Sequence, residues 1–369
     1  WVDLFNGKDT TGWTHAKADE PNRWTVEDGA LTQEGPKGTH DTATTATYGD
    51  YELELEYKVP PDGNSGVYLR GWVEVQVLDS HPNRDKKPGQ GDAGAIYGAG
   101  APLKISSKPA GEWNKFRIVH IGPRITVYHN GVLVQDNVHK ADGTPGNMKA
   151  ARRELDGTKG PLMLQGDHGK VWFKNIRIRP LLEGWKKLWN GTDLSELTAR
   201  GNDRAKDGLR WSVENHSFTN GDNFGSKGHD IWTKEPFGNF LVHYEYRTGP
   251  EEGGNSGFYL RDQWEIQIYG TSTAGGIHDD GDLYSRFDTL TVARNEPSQW
   301  NHMDVKVDGM KIWVWQNGKL IHDGRIVDTR TDDHARKTLE WSKAPFKLQG
   351  DHGRVWFTNL FVKPLPDTK

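Results

Sequence analysis

Tyr51-Glu52-Leu53-Glu54-Leu55-Glu56-Tyr57 alternates apolar and acidic residues without a break. Successive side chains of a β-strand point to opposite faces, so a period of two marks a strand with one side on a core and the other wet. Val73-Glu74-Val75-Gln76-Val77 and Lys174-Asn175-Ile176-Arg177-Ile178-Arg179 repeat the pattern. Turn sequences punctuate these runs: Pro60-Pro61-Asp62-Gly63, His129-Asn130-Gly131 and Asp308-Gly309. Asn317-Gly318, between Trp313-Val314-Trp315 and Leu320-Ile321, is a strong hairpin signal. Helix is scarce, with short candidates at Met148–Leu155 and Asp333–Leu339. The pattern predicts an all-β chain of two-sheet sandwiches.

The chain also repeats itself. Leu4-Phe5-Asn6-Gly7 returns as Leu188-Trp189-Asn190-Gly191, and Trp24-Thr25-Val26-Glu27 as Trp211-Ser212-Val213-Glu214. Gly63-Asn64-Ser65-Gly66-Val67-Tyr68-Leu69-Arg70 returns as Gly254-Asn255-Ser256-Gly257-Phe258-Tyr259-Leu260-Arg261. Gln165-Gly166-Asp167-His168-Gly169 recurs unchanged as Gln349-Gly350-Asp351-His352-Gly353. The offset drifts between 184 and 191, as loop insertions and deletions make it. A period that long is a domain duplication, not a solenoid. The predicted domains are residues 1–182 and 183–369. With almost no linker at Leu181-Leu182-Glu183-Gly184, the two are expected to pack on each other.

Composition narrows the class. A chain of 369 residues has room for two mid-sized domains, and Gly 44 with Pro 18 favours a turn-rich fold. Near-balanced charge and 16 Trp argue against disorder. A net charge of -4 argues against a non-specific nucleic-acid binder. No apolar run approaches the ~20 residues of a transmembrane helix. The absence of cysteine excludes a thiol nucleophile, a disulfide scaffold and a Cys-ligated metal. The start at Trp1, with no Met or signal peptide, reads as a processed or trimmed chain.

Some apparent motifs carry little. Gly89-Gln90-Gly91-Asp92-Ala93-Gly94 fits a dinucleotide fingerprint, but it lies between a lysine-rich turn and a strand-like piece rather than ahead of a helix. Asn190-Gly191-Thr192 and Asn215-His216-Ser217 are sequons of a kind common by chance. His278-Asp279-Asp280-Gly281-Asp282 lacks the spacing of a calcium loop and reads as a solvated acidic turn.

The polar residues on strand faces are more informative. With Val73, Val75 and Val77 on a core, Glu74 and Gln76 share the other side of their strand. Tyr68 and Arg70 can share a face of the preceding strand, and the tight Gly71-Trp72 turn is expected to bring Arg70 near Glu74. Met163, Gln165 and Asp167 alternate against Leu162 and Leu164, with His168 at the strand end. Each residue alone can be an ordinary salt bridge or turn. Together they form a wet face carrying an acid, an amide, a guanidinium, a phenol and an imidazole among many tryptophans. Such a mixture suits a sugar, whose hydroxyls bind amides and carboxylates and whose ring stacks on indoles. The second half offers Tyr259, Arg261, Glu265, Gln267, Gln349, Asp351 and His352.

These motifs, with Glu-Val-Gln-x-Leu-Asp ending at Asp79, Ala95-Ile96-Tyr97-Gly98 and the Val-x-Phe-x-Asn-Ile that follows Asp167-His168-Gly169, resemble the 3-keto-disaccharide hydrolase family. The resemblance implies two tandem concanavalin-A-like jelly-roll β-sandwiches and cleavage of 3-keto-glycosides. It implies an extracytoplasmic site, periplasmic, secreted or lipoprotein-anchored, and a carbohydrate substrate. No cofactor is certain, and a divalent metal ion can have a place. Catalytic roles are expected for Glu74 and His168, and substrate-binding roles for Tyr68, Arg70, Gln76, Asp79, His129, Gln165 and Asp167. The second copy keeps Arg261, Glu265, Gln267, Asp351 and His352 but has Gly270 for Asp79 and Gln316 for His129. The first half is therefore the expected active site.

The implied chemistry needs one base at C2, a donor at the enolate oxygen and an acid for the departing oxygen. His168 or Glu74 is the candidate base. Arg70 or a metal is the candidate enolate partner, and Gln76 and Tyr68 are placed to orient hydroxyls. Two rivals stand beside this reading. A lectin-like module would bind glycans without cutting them. An ordinary glycosidase would need two carboxylates about 5 to 9 Å apart, for which Glu74 with Asp79 or Asp167 are the candidates.

Overall fold

The computed structural model describes residues 1–17, 20–33, 40–139, 159–200, 210–221, 228–249, 254–270, 277–327 and 343–366. It divides into two compact units, Trp1–Glu183 and Gly184–Lys369. Among the described residues each unit is a sandwich of an eight-stranded and a five-stranded sheet, with every strand pairing antiparallel. The only helix among the described residues is a single 3-10 turn, His81–Asn83. The two expected helical stretches, Met148–Leu155 and Asp333–Leu339, lie outside the described residues.

In the first unit the large sheet runs Val132–His139, Arg124–His129, Asn114–Ile121, Tyr51–Lys58, Val171–Pro180, Ala30–Gln33, Thr25–Glu27, with Val2–Asp3 added on Val171–Pro180. The small sheet runs Trp13–His15, Thr42–Thr44, Met163–Leu164, Asn64–Leu69, Val73–Leu78. The second unit keeps both orders strand for strand, its small sheet running Leu197–Thr198, Ile231–Thr233, Lys347–Leu348, Asn255–Leu260, Trp264–Tyr269.

The period of two decides what faces inward. Tyr51, Leu53, Leu55 and Tyr57 are sealed in the first core with Val67, Leu69, Val73, Val75 and Val77. The outward glutamates of the same strand are not simply wet. Glu52 is bound by Arg117 and Arg179, Glu54 by Lys115 and Arg177, and Glu56 by Lys174 and Asn175. This cross-strand lattice covers the outer face of the large sheet. Asn175 and Asn359, the asparagines of the Val-x-Phe-x-Asn motif, take left-handed φ of 50° and 46°. Each sits where its strand's register slips, so that Phe173 and Ile176 both face inward.

Arg70 is not where the sequence suggests. Arg70 and Gly71 both have left-handed φ, at 50° and 76°, and the turn throws the guanidinium away from Glu74. There it donates to the carbonyls of Gly49 and Gly122 at 2.9 and 3.0 Å and pairs with Asp50 at 2.7 Å. Arg261 does the same work in the second unit, on Gly238 O and Asn239 Oδ1. Both guanidiniums are buried struts between loops.

His129 is also a core residue. It is fully buried, 2.9 Å from the Tyr57 hydroxyl and 3.1 Å from the Ser106 hydroxyl, and burial drives its pKa down to about 3. Asp79 accepts from the Asp62 backbone N–H at the end of the preceding turn. Two carboxylates of the supposed acidic turn of the second unit, Asp280 and Asp282, are internal too, while His278 is exposed. Asp280 accepts from the Tyr246 hydroxyl at 2.6 Å and the Gln316 amide at 2.7 Å, and Asp282 from the backbone of Asp279 and Thr289. Gln316 and Asp280 thus replace the His129 contact of the first core.

Replacing Arg70 by Met should strand Asp50 and two carbonyls, costing about 2–4 kcal/mol of stability in urea denaturation. An unchanged urea midpoint in Arg70→Met would show that the guanidinium is not a strut.

Candidate functional site

The outward face of the small sheet collects the remaining polar residues. In the first unit Tyr68 lies directly across from Glu74, and Gly66 across from Gln76. Met163 pairs with both Tyr68 and Ala43, so the outward row reads Thr14, Ala43, Met163, Tyr68, Glu74. The next row brings Asp41, Gln165, Gly66 and Gln76 together. The Gln165 amide donates to the Tyr68 hydroxyl at 3.0 Å, and Tyr68 also hydrogen-bonds Glu74. Burial and the charges of Glu74, Asp41 and Asp167 push the Tyr68 phenol upward, so it stays a protonated donor.

Glycine makes the glutamate's pose available. A Cβ on Gly66 would lie 2.4 Å from Glu74 Oε1, and one on Gly257 would lie 2.1 Å from Glu265 Oε1. Each carboxylate therefore lies flat over the gap left by the neighbouring strand's missing side chain. A second glycine fixes the Asp-His turn. A Cβ on Gly166 would lie 2.4 Å from the His40 carbonyl and 3.0 Å from the Trp24 ring. The backbone N–H of Gly166 donates to Asp41 at 3.2 Å, and the next two residues project Asp167 and His168, which bond each other.

The second unit builds the same face with different neighbours. Tyr259 faces Glu265, and Gly257 faces Gln267. Where the first unit has Met163 and Ala43, the second has Lys347 and Trp232. Lys347 Nζ sits 3.4 Å from the Tyr259 ring centre and 3.2 Å from Asp230. Burial pushes the Glu265 carboxyl up to about 7, against the opposing pull of the Tyr259 hydrogen bond and the charges of Lys347 and His352. His352 is held above its ordinary value by its hydrogen bond to Asp351, 2.5 Å away.

Set against the sequence, the structure gathers Tyr68, Glu74, Gln76, Gln165, Asp167 and His168 on one face, and Tyr259, Glu265, Gln267, Asp351 and His352 on the other unit's face. Arg70, Arg261, Asp79 and His129 lie elsewhere. Nor is the first face open to water as expected, since Tyr68, Glu74 and Gln76 are all under 10% exposed. The tryptophans do not ring it. Trp13, Trp24, Trp189 and Trp211 are core residues, while Trp113 and Trp172 stack under lysines on the large sheet. On the second unit's face Trp232 bonds to Asp262 and lies beside Lys347.

Sequence reasoning missed Asp41, Asp230, Lys347 and the two glycines. Lys347 stands 184 residues after Met163, the offset of the Gln-Gly-Asp-His-Gly repeat, so the signal was present. Because Asp79 and His129 are off the face, their loss in the second copy does not weaken its site.

Residues 1–179 and 184–363 match the model of the 3-keto-alpha-glucoside-1,2-lyase-like domain. A 3-keto-disaccharide hydrolase of Bacteroides thetaiotaomicron is 28% identical over 230 residues, covering 49% of this chain and 78% of that protein. A crystal structure from Parabacteroides distasonis, described provisionally as a glycosyl hydrolase, shares 32% identity with a TM-score of 0.42 and covers 49% of this chain and 83% of its own. A carbohydrate binding module of Bacillus subtilis shares 14% identity with a TM-score of 0.31 and covers 46% and 96%.

The raised Glu265 pKa is a stability statement. A carboxyl that binds its proton more tightly folded than unfolded contributes fully below its ordinary 4.5, and that contribution is lost as pH climbs through about 7. Wild type should therefore lose stability relative to Glu265→Gln across this window, seen as diverging melting temperatures. Parallel curves would place Glu265 in ordinary solvent.

Proposed function

Because the chain belongs to the 3-keto-alpha-glucoside-1,2-lyase-like family, we propose that it cleaves 3-keto-glycosides by elimination followed by hydration. The observation that carries this reading is the tyrosine–glutamate pair over glycine in each unit, with a histidine on the adjoining strand-end turn. A ketone at C3 acidifies the proton on C2. Glu265, poised near neutrality, takes that proton and leaves an enolate whose charge rests on the C3 oxygen. Lys347, already against Tyr259 and Asp230, supplies the cation for that oxygen. The enolate then re-forms the ketone while the C1–O bond breaks, giving a C1–C2 double bond. His352 gives a proton to the departing oxygen. Water added across the double bond completes hydrolysis.

The first unit holds Glu74 and His168 at the same places, and they are the proposed base and acid there. Its face has Met163 in place of the lysine, so elimination there runs without a neighbouring cation. Tyr68, Gln76, Gln165 and Asp167 are the proposed hydroxyl-binding groups. The habit of the family supports action outside the cytoplasm.

The test is release of the leaving alcohol from a 3-keto-glycoside, with transient enone absorbance, while the unoxidised glycoside stays intact. Glu265→Gln should lower kcat by on the order of 10²–10⁴ as for loss of a general base. Glu74→Gln should remove a smaller share of total turnover. Wild-type kcat/KM should rise with pH through about 7 as Glu265 ionises. Saturable sugar binding with no turnover on any 3-keto substrate would establish the lectin reading instead.

A further inference from the structure

On the opposite side of the second sandwich, the outer face of the large sheet carries a group the elimination chemistry does not use. His243 and Glu245 stand two apart on Phe240–Thr248, so they share a face, and His302 lies directly across from Glu245 on Asn301–Asp308. Their ligating atoms all fall within 4.8 Å of one another. Glu245 Oε1 is 3.2 Å from His302 Nδ1 and 3.6 Å from His243 Nε2. Glu245 is 1% exposed and His243 4%.

The first unit shows what this position normally holds. There Glu54 and Glu56 are matched by Arg117 and Lys115 across one side and by Arg177 and Lys174 across the other. At the four corresponding register positions the second unit has Asp304, His302, Phe361 and Thr358. Every long cation has been exchanged while the carboxylate at Glu245 has stayed and become buried. Burial of a carboxylate is costly unless it is paired or ligates a metal.

We infer that His243 Nε2, Glu245 Oε1 and His302 Nδ1 form a binding site for a divalent transition-metal ion of the zinc class. Two observations beyond the cluster support it. His243 Nε2 is buried and has no hydrogen-bond partner. The same ring's Nδ1 lies 2.8 Å from Asp304, an outer carboxylate contact of the kind that orients a metal-bound imidazole, and this leaves Nε2 facing Glu245. Ligands about 2.0–2.1 Å from one tetrahedral ion lie roughly 3.3 Å apart, and the two separations here bracket that spacing. The donor set of two imidazoles and one carboxylate suits zinc and not calcium or magnesium, which take oxygen ligands. A fourth position stays free for water.

The full chain, stripped with chelator and dialysed, should bind one equivalent of Zn²⁺ that is lost in both His243→Gln and His302→Gln. Co²⁺ in its place should give tetrahedral visible absorption in wild type. Asp304→Asn, which keeps all three ligands, should weaken Zn²⁺ by about 10–100-fold as second-layer changes do. His302 is partly exposed, so His302→Gln reports even if His243→Gln fails to fold. Turnover of a 3-keto-glycoside should survive metal removal, which separates this site from the proposed active face. No bound zinc in wild type, or zinc bound equally by His302→Gln, would overturn the assignment and leave an imidazolium–carboxylate cluster.

Discussion

Each sheet of this protein spends one face on the other sheet, and every remaining feature is arranged within what that leaves. A buried valine, leucine or phenylalanine contributes about 1.5–3 kcal/mol relative to exposure, so the inward positions tolerate little change. Polar groups on the inward side survive only with partners. Tyr57 with His129, and Tyr246 with Asp280 and Gln316, are two solutions at one place in two copies. The outward positions, spaced by two, are free to diverge. That is where Met163 and Ala43 correspond to Lys347 and Trp232, and where Glu54 corresponds to His243.

A second constraint is local. A carboxylate can lie against a sheet only where the adjacent strand offers no side chain, and Gly66 and Gly257 supply that space. The same logic holds at Gly166 and Gly350, which let the His40 and His229 carbonyls approach to 2.4 and 2.3 Å of a would-be Cβ. Repeated glycines in this chain thus mark contacts rather than flexibility. They explain why Gly-Asn-Ser-Gly and Gln-Gly-Asp-His-Gly recur with so little change between the halves.

Much of the sandwich was legible because alternation is a one-dimensional signal: Tyr51–Tyr57 and Val73–Val77 show their inward sides directly. The same signal, read further, places His129 with Ile125 and Val127 on the inward side of its strand, so its burial was also available. Arg70 was not legible in this way. A left-handed φ at the turn redirects a side chain out of the strand's alternation, and residue spacing carries no trace of it. Asp41 was missed for a different reason. It lies just ahead of a three-residue strand, too short to show a period, and meets Tyr68 only through pairing across Met163–Leu164.

The two faces show how little must change to retune one scaffold. Both hold a glutamate over glycine beside a tyrosine, and both end in an Asp-His turn. In the second, burial outweighs the cation beside it, and Glu265 stays near neutrality rather than falling with the charge of Lys347. Under the proposed elimination that balance is useful, because a base works best when its pKa lies near the working pH and a cation stands where negative charge would form. Placing Lys347 over the Tyr259 ring lets the ammonium sit within reach of the site while Asp230 offsets part of its field. Met163 can do neither. A single outward position on the central strand therefore separates the two faces, one with a thioether beside its tyrosine–glutamate pair and one with an ammonium.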